Sequence, residues 1–522
     1  MRILGVVLDG IDGIEVTLEA RFDPNYRVNC IRIVGLAEPT VKEGLDRARS
    51  AVWPLVRDVA YHQSQGILIN LAPADLRKSG RTLDLPLAMV YAGLQLGLRD
   101  STKSGLCFLG ELGLSGSVRA VRGVFTAIMA AKREGRTGVV LPEANLTEAR
   151  LVEGPDLYPV QTVMDAIDVL SGKRAPDSGP RGMNARGRPL DAPDFRDVKG
   201  QFSIRRACEI AASGRHNLLM EGPPGSGKTM MARRLPSILP PLTEQQALDV
   251  ARITSVVRNL DSRTMHLPPF RAPHHSATPA GLIGGGQPLR PGEFSLAHHG
   301  VLFMDEFPEF DRRALEMLRE PMEERVVHIT RATAIKDFPA DFLLVAAMNP
   351  CPCGYHGKRD GRCRCTERQV TSYRGRISGP LLDRFDLRVL LRPVTGEALL
   401  EEGEGEPSAS ILERVLGARE RQTHRFGPGI FNSTAPDRVV LRSCGLRSEE
   451  RRLLVRLLTE YGMSARALRR LQRVSRTLAD LAGEERVTEL HLMEASGFRL
   501  SAELEGSIPL AGRARGSGPE VT

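Results

Sequence analysis

Gly222-Pro223-Pro224-Gly225-Ser226-Gly227-Lys228-Thr229 stands directly after the apolar run Leu218 to Met220 and directly before a helical pattern. Its spacing fits G-x-x-x-x-G-K-[ST], and a strand in front with a helix behind is the setting this motif requires. Glycines without side chains let backbone N–H groups close around phosphates, Lys228 can reach the β and γ oxygens, and the Thr229 hydroxyl can hold Mg²⁺. The stretch therefore predicts an α/β fold built on a parallel sheet, with ATP as its ligand.

Further along, Val301-Leu302-Phe303-Met304-Asp305-Glu306 is an apolar strand that ends in two carboxylates. Nucleotide hydrolysis needs such a pair, Asp305 for the Mg²⁺ shell and Glu306 to orient and deprotonate water. Phe342 to Ala347 is another apolar strand, ending near Asn349, whose amide could contact the attacking water or the γ-phosphate; an Asn-Pro pair is equally a common turn. Leu381-Leu382-Asp383-Arg384-Phe385-Asp386 places one arginine in a mostly apolar run, where a local ion pair with Asp383 or Asp386 is the plain alternative to a functional role. Together with Asn217 to Glu221, these strand-like runs alternate with helical segments from Phe195 to about Pro393, as in a doubly wound sheet.

The rest of the chain divides around this centre. Residues 1–170 alternate β-rich runs (Ile67 to Leu71, Val139 to Leu141) with helical patterns (Val41 to Val52, Phe125 to Arg133), which suggests an independent α/β domain. Residues 171–194 turn to Gly, Pro, Arg and Ser and read as a flexible linker. The nucleotide core is expected over 195–395, with a cysteine-rich loop at 350–366. An acidic joint at Glu397 to Glu406 leads into a helical lid domain and tail over 396–522, whose helices are read at Ser410 to Thr423, Glu449 to Tyr461, Ala465 to Leu481 and Thr488 to Ser496.

Composition limits the function classes. A chain of 522 residues exceeds one ordinary domain, and 41% hydrophobic with 26% charged residues describes a globular chain, neither disordered nor fibrous. No apolar stretch reaches the roughly 18 to 20 residues of a spanning helix; the best candidate, Leu85 to Leu98, is broken by Gln95 and glycines. The start of the sequence, with Asp9 and Asp12 close behind Met1, lacks the apolar core and cleavage site of a secretory signal, so a cytoplasmic protein without a membrane partner is expected. The 72 Lys and Arg against 63 Asp and Glu leave +9, which favours polyanionic partners such as nucleic acid.

Eight cysteines are too few for a disulfide scaffold in so long a chain. Four of them crowd together, Cys351-x-Cys353 and Cys363-x-Cys365, with nine residues between the pairs, so four thiolates could converge on a structural Zn²⁺; free thiols or redox pairing is the alternative. Four sulfur ligands would leave no open position for water or substrate. Arg325 to Lys336 alternates apolar and polar positions on either side of a short polar centre and reads as a hairpin. Arg466, Arg469, Arg470, Arg473 and Arg476 form one stripe on a helix, and beyond Arg466 a solvated basic face is expected.

The ordered set of phosphate loop, Asp-Glu strand end, Asn349 and Gly379-Pro380-Leu381-Leu382-Asp383-Arg384-Phe385 resembles an AAA+ ATPase, in the branch of magnesium-chelatase ATPase subunits and replicative MCM helicases. The resemblance implies that Asn349 is sensor 1, that Arg384 is an arginine finger supplied to a neighbour's ATP, and that Arg466 is sensor 2 from the lid. It implies a ring as well, a homo-oligomer built as a hexamer in the related enzymes. It also makes the hairpin before sensor 1 a pore element, on which Arg331 and Lys336 would follow a DNA backbone; an ordinary solvated hairpin is the alternative. Phe270 to Ser276, Gly284-Gly285-Gly286, Pro291 to His298 and Cys351-Pro352-Cys353-Gly354 look like the ComM/YifB family. That family implies an ATP-driven DNA motor for branch migration and heteroduplex extension in natural transformation, acting on single-stranded DNA and branched junctions, with a recombinase as a possible partner. The main alternative is a magnesium-chelatase-type ATPase that remodels a protein or a metal-insertion partner. His274, His275, His298 and His299 flank the segment that the resemblance makes an insertion toward the pore, and they read as structural or pore-lining rather than metal ligands.

Gly110 to Val124, followed by Thr137 to Pro142, looks like the fold of Lon protease domains. A protease would need a Ser-Lys dyad. Thr82 is the nearest hydroxyl to the expected nucleophile, and Phe125 to Ala127 occupy the expected lysine position, so the domain is expected to be a scaffold without proteolysis. The whole reads as an N-terminal Lon-protease-like α/β domain, a central AAA+ P-loop α/β domain and a C-terminal helical lid.

Overall fold

The computed structural model describes residues 1–25, 30–60, 66–78, 80–182, 192–261, 263–286, 288–331, 334–356, 362–391, 405–461 and 463–504. Its contacts group into two units: residues 1–187, 243–266 and 284–291 in the first, and the remainder in the second.

The first unit is a seven-stranded mixed sheet in the order Ile31–Val34, Gly66–Ala72, Asp12–Asp23, Arg2–Asp9, Leu106–Phe108, Gly138–Pro142, Asp156–Val160. Arg2–Asp9 and Asp12–Asp23 form a hairpin, and the last three strands run parallel to Arg2–Asp9. Helix Asp84–Leu96 is buried along most of its length, because nearly every position carries an apolar or small side chain. Thr82 sits buried in the turn Arg81–Leu83, and Phe125 is buried in helix Val124–Arg133. Lys78 donates to the carbonyl of Pro73.

Helix Glu244–Ser255 belongs to this unit although it follows the phosphate loop in sequence. It opens with a capping box, Thr243 and Gln246 satisfying each other's main-chain N–H groups. Its Ala251, with Leu260 and Met265, lies in one apolar cluster with Val121, Phe125 and Ile128. Arg252 pairs with Asp12 at 2.6 Å, and Ser255 donates to the buried Glu148 at 2.5 Å. This grouping differs from the division expected from sequence, which kept 243–266 in the nucleotide core. An amphipathic helix declares that one face is covered, not which sheet covers it. Part of the expected linker also packs on this unit: Asp177 accepts two bonds from Arg150, at 2.9 and 2.6 Å.

The second unit holds a five-stranded parallel sheet in the order Phe270–Arg271, Val301–Met304, Leu343–Met348, Leu218–Glu221, Leu387–Leu390. Leu343–Met348 is buried at every position, as a strand covered on both faces must be, which explains its unbroken apolar run. Helices Ser408–Phe426, Ser448–Tyr461, Ala465–Ala482 and Glu489–Leu504 complete the unit. They share its apolar core: Ile411, Val415, Leu457, Leu471, Leu478 and Leu492 cluster with Leu218, Phe303 and Val345. The expected hairpin is present, with Val326–Arg331 paired antiparallel to Ala334–Pro339. Among the described residues no helix is long and apolar enough to cross a membrane.

Candidate active site

The carboxyl ends of the parallel strands in the second unit carry the phosphate loop and its partners. Gly222 follows strand Leu218–Glu221, and Lys228 opens helix Lys228–Arg234. Gly225 and Gly227 adopt φ of +75° and +86°, which only glycine takes without strain. The Lys228 ammonium, nearly buried, donates to the carbonyls of Gly222 and Pro223 at 2.6 and 3.1 Å and to Asn349 Oδ1 at 3.1 Å. Burial pushes its pKa down, against the opposing pull of Asp305, Glu221 and Glu306. Thr229 Oγ1 donates to Asp305 Oδ2 at 2.6 Å. The structure thus brings Lys228 to Asn349 and Thr229 to Asp305 beside the phosphate loop, and the donor set suits a nucleotide phosphate with Mg²⁺: left-handed glycines, one lysine, and a hydroxyl paired with a carboxylate.

Glu306 is held differently. Its backbone is left-handed, φ +52°, unusual for a side-chain-bearing residue, and its N–H donates to Asp305 Oδ1 at 2.9 Å. Its carboxylate meets His275 Nδ1 at 2.9 Å. The sequence reading treated His275 as structural or pore-lining and missed this contact; the sole signal was its place a few residues past strand Phe270–Arg271. His274 bonds Ser276 instead. His298 is buried and accepts the Asp341 N–H at 3.0 Å. Burial first, then His299 and Arg215, hold its pKa down at about 3 against Asp341, so it is neutral.

The cysteine loop touches this site. The Sγ atoms of Cys351, Cys353 and Cys363 lie 3.4 to 3.8 Å apart, and with Cys365 all four fall within 4.8 Å of one another. Four thiolates about 2.3 Å from a zinc ion would stand about 3.8 Å apart in a tetrahedron, so the residues fit that metal. Gly354, at φ +84°, has no room for a side chain, since a Cβ there would lie 2.5 Å from Pro224 of the phosphate loop. Arg374, in the helix after the cysteines, bonds both the Pro350 carbonyl at 3.1 Å and Glu221 at 3.2 Å.

At the amino ends of the same strands lies a second constellation, a cleft of about 320 Å³ lined by Arg215, Arg325, Arg384, Arg466, Arg469 and Arg473, among others. Arg384 does not pair with Asp383 or Asp386. Its guanidinium binds Glu323 and donates to the Pro380 carbonyl at 2.7 Å. Arg466 is exposed and has no ion pair among the described residues. The structure therefore brings Arg384 and Arg466 together while separating both from the phosphate loop of their own chain. Asp341 anchors one wall, with Arg215 at 2.9 Å and Arg325 at 3.8 Å. Burial raises its pKa, but Arg215, Arg325 and the two histidines outweigh that and hold it below the usual carboxylate range.

Beyond Arg466 the arginine stripe is solvated at Arg469 but not at Arg473 or Arg476, which corrects the sequence expectation there. Arg476 is fully buried; it donates to the carbonyls of Ser443, Glu484 and Glu485 and to Asp480 at 2.6 to 3.0 Å. Arg473 binds the Asn432 and Ala435 carbonyls at 2.6 and 2.7 Å. A buried guanidinium persists only where carbonyls and a carboxylate replace its water, and sequence spacing does not reveal them. Of the expected DNA-contacting residues, Arg331 ends a hairpin strand, but its side chain lies outside the described residues; Lys336 stands opposite Ile329 in the register.

A phosphate loop, a strand-end Asp-Glu pair and a strand-end asparagine on one parallel sheet define an AAA+ nucleoside-triphosphatase. Residues 194–399 match the family described as magnesium chelatase, subunit ChlI; residues 20–145 match subunit ChlI of Mg-chelatase, and residues 405–499 match the C-terminal part of that subunit. Competence protein ComM of Haemophilus influenzae is 41% identical over 479 residues, covering 90% of this chain and 92% of its own. The YifB protein of Salmonella typhimurium is 40% identical, with 94% and 95% covered. The DNA replication licensing factor Mcm6 of Drosophila melanogaster is 26% identical over 41% of this chain and 26% of its own. The chain belongs to the ComM/YifB family of magnesium-chelatase-like AAA+ ATPases, which implies ATP and Mg²⁺ as its working ligands.

Proposed function

We propose that the protein is a ring-forming, ATP-driven DNA motor that promotes branch migration and heteroduplex extension in recombination during natural transformation. The observation that carries the reading is the placing of Arg384 and Arg466 together, at the strand ends opposite to the chain's own phosphate loop. Arginines so placed serve the ATP of a neighbouring copy, which requires a closed homo-oligomer, by analogy a hexamer. Competence in the name of a relative matched over 90% of this chain, and DNA replication in the name of a more distant one, support DNA as the partner. The net charge of +9 and the hairpin Val326–Pro339 add support, with Arg331 and Lys336 as the backbone contacts.

In this mechanism the phosphate-loop N–H groups from Gly222 to Gly227 and Lys228 hold the phosphates. Thr229 and Asp305 would hold Mg²⁺, which supplies charge neutralisation. Glu306 takes a proton from the attacking water once His275 releases it, and Asn349 orients that water or the γ-phosphate. Arg384 and Arg466 of the neighbouring copy stabilise the charge that develops on the transferred phosphoryl. Cys351, Cys353, Cys363 and Cys365 would hold a structural Zn²⁺ that braces the phosphate loop through Gly354 and Pro224. Residues 1–170 with the inserted 243–266 act as a scaffold, the rest of 195–395 as the motor core and 396–522 as the lid, in a cytoplasmic protein that works on single-stranded and branched DNA beside a recombinase.

The family match over 194–399 also favours a second reading, a magnesium-chelatase-type ATPase that remodels a protein or a metal-insertion partner. A labelled movable three-strand or Holliday junction, incubated with ATP, Mg²⁺ and either the wild type or Glu306→Gln, separates the two. Junction resolution by the wild type alone, with DNA-stimulated phosphate release, is expected. Hydrolysis that leaves junctions intact would transfer the assignment to the remodelling ring.

A further inference from the structure

Asp386 lies two residues beyond Arg384, is almost fully buried, and lines the back of the arginine cleft. Its Oδ1 accepts from Arg470 at 2.7 Å, and its Oδ2 faces His216 Nδ1 at 3.2 Å. Arg470 sits four residues after Arg466 on helix Ala465–Ala482, on the same face and one turn along. His216 Nε2 meets Thr477 Oγ1, two turns further on the same helix, at 2.7 Å. The main chain is tied as well, since the N–H groups of Asp386 and Leu387 both donate to the Asn217 carbonyl, at 3.0 and 3.1 Å. The Asn217 side chain then donates to the Arg384 carbonyl at 3.3 Å and accepts the Leu344 N–H at 3.0 Å.

One carboxylate thus joins the loop of Arg384, the helix of Arg466 and the amino end of strand Leu218–Glu221. Burying a carboxylate is costly unless it is fully paired, and an apolar residue would seal the same crevice at lower cost. What a carboxylate adds is direction, because it fixes two donors from different elements at set angles, and transition-state contacts lose most of their effect when displaced by about 1 Å. We infer that Asp386 is the positioning residue that holds Arg384 and Arg466 in one frame, so that both reach a neighbour's ATP together. The inference rests on the trans reading of those arginines given above.

The test uses full-length Asp386→Asn protein. Its own phosphate loop is untouched, so ATP affinity should stay within about twofold while kcat falls about tenfold or more. Mixed with Lys228→Ala protein, which keeps intact arginines but holds nucleotide poorly, it should recover hydrolysis to at least about threefold above the sum of the two proteins alone. A residue needed only for folding would not be rescued by a neighbour. Arg384→Ala mixed with Lys228→Ala is the control. If that control recovers and the Asp386→Asn mixture does not, the inference is overturned and the trans reading survives. If the control does not recover, the trans reading falls and this inference falls with it. Should Asp386→Asn fail to fold, the half-exposed partner decides, since unchanged kcat in Arg470→Gln overturns the proposal.

Discussion

The two ends of the parallel sheet in the second unit are built on opposite plans. At the carboxyl ends, Lys228 bonds Asn349 and Thr229 bonds Asp305 across short distances, with one lysine and one aspartate between the two pairs. At the amino ends the cleft gathers more arginines than carboxylates; the buried Asp386 and the half-buried Asp341 hold some from behind, while the more exposed Glu323 and Asp437 pair with others nearer the surface. The first end is complete within one chain. The second is a surplus of fixed positive charge, which the proposed reading turns toward the ATP of a neighbouring copy. In the proposed ring, one chain contributes to two hydrolytic sites, one from each end of the same strands.

That contrast can be broken most directly at Arg384. Arg384→Ala should lower kcat by about 10³-fold while leaving ATP affinity unchanged, as measured by steady-state hydrolysis beside equilibrium nucleotide binding. A parallel loss of affinity would mean that the two ends are not separate. Lys228→Ala should show the reverse pattern, an affinity weaker by about 100-fold in titrations with a fluorescent nucleotide; normal binding would remove the phosphate-loop assignment. Smaller effects sharpen the first end. Cys353→Ser should abolish stoichiometric zinc in metal analysis and weaken nucleotide binding about threefold, because the Gly354 turn rests on Pro224. Metal loss with unchanged nucleotide binding would confine the loop to a separate role.

The smallest effect concerns the amino end and pH. His298 is held at about 3 in the folded chain against 6.5 ordinarily. Below pH 6.5 the unfolded chain takes up a proton that the folded chain refuses until about pH 3. Its contribution to stability is therefore complete above pH 6.5 and fades as pH falls toward 3, by up to about 1.4 kcal/mol per pH unit. Replacing His298 by Asn should flatten the decline of Tm between pH 6.5 and 4.5, and an identical decline would show that His298 does not govern it.

Much of the first end was legible in the sequence and little of the second. A phosphate loop is contiguous, and Val301 to Glu306 announces a strand and its carboxylates in one run, so motif and geometry coincide. The arginine cleft draws on positions from Arg215 to Arg473, and its logic is in the pairing. Arg384 has Asp383 and Asp386 beside it in sequence yet binds Glu323, because the turn after Leu382 points the neighbouring carboxylates elsewhere. Arg473 and Arg476 read as a wet stripe yet are largely and fully buried respectively, since the carbonyls that satisfy them belong to turns whose position no periodicity encodes. The His275–Glu306 contact was hidden for the same reason: it joins two loops that each look ordinary alone.

Helix Glu244–Ser255 has a consequence for how the molecule comes apart. The chain leaves the second unit after the phosphate-loop helix, contributes Ala251 and Arg252 to the first, and returns to build strand Phe270–Arg271. The units are interlaced like two knots tied in one cord. A single backbone cut in 183–191 would not free an intact amino-terminal unit, because part of its core stays on the other fragment. The two pieces should copurify after such a cut, and the amino-terminal piece expressed alone would lack part of its interior.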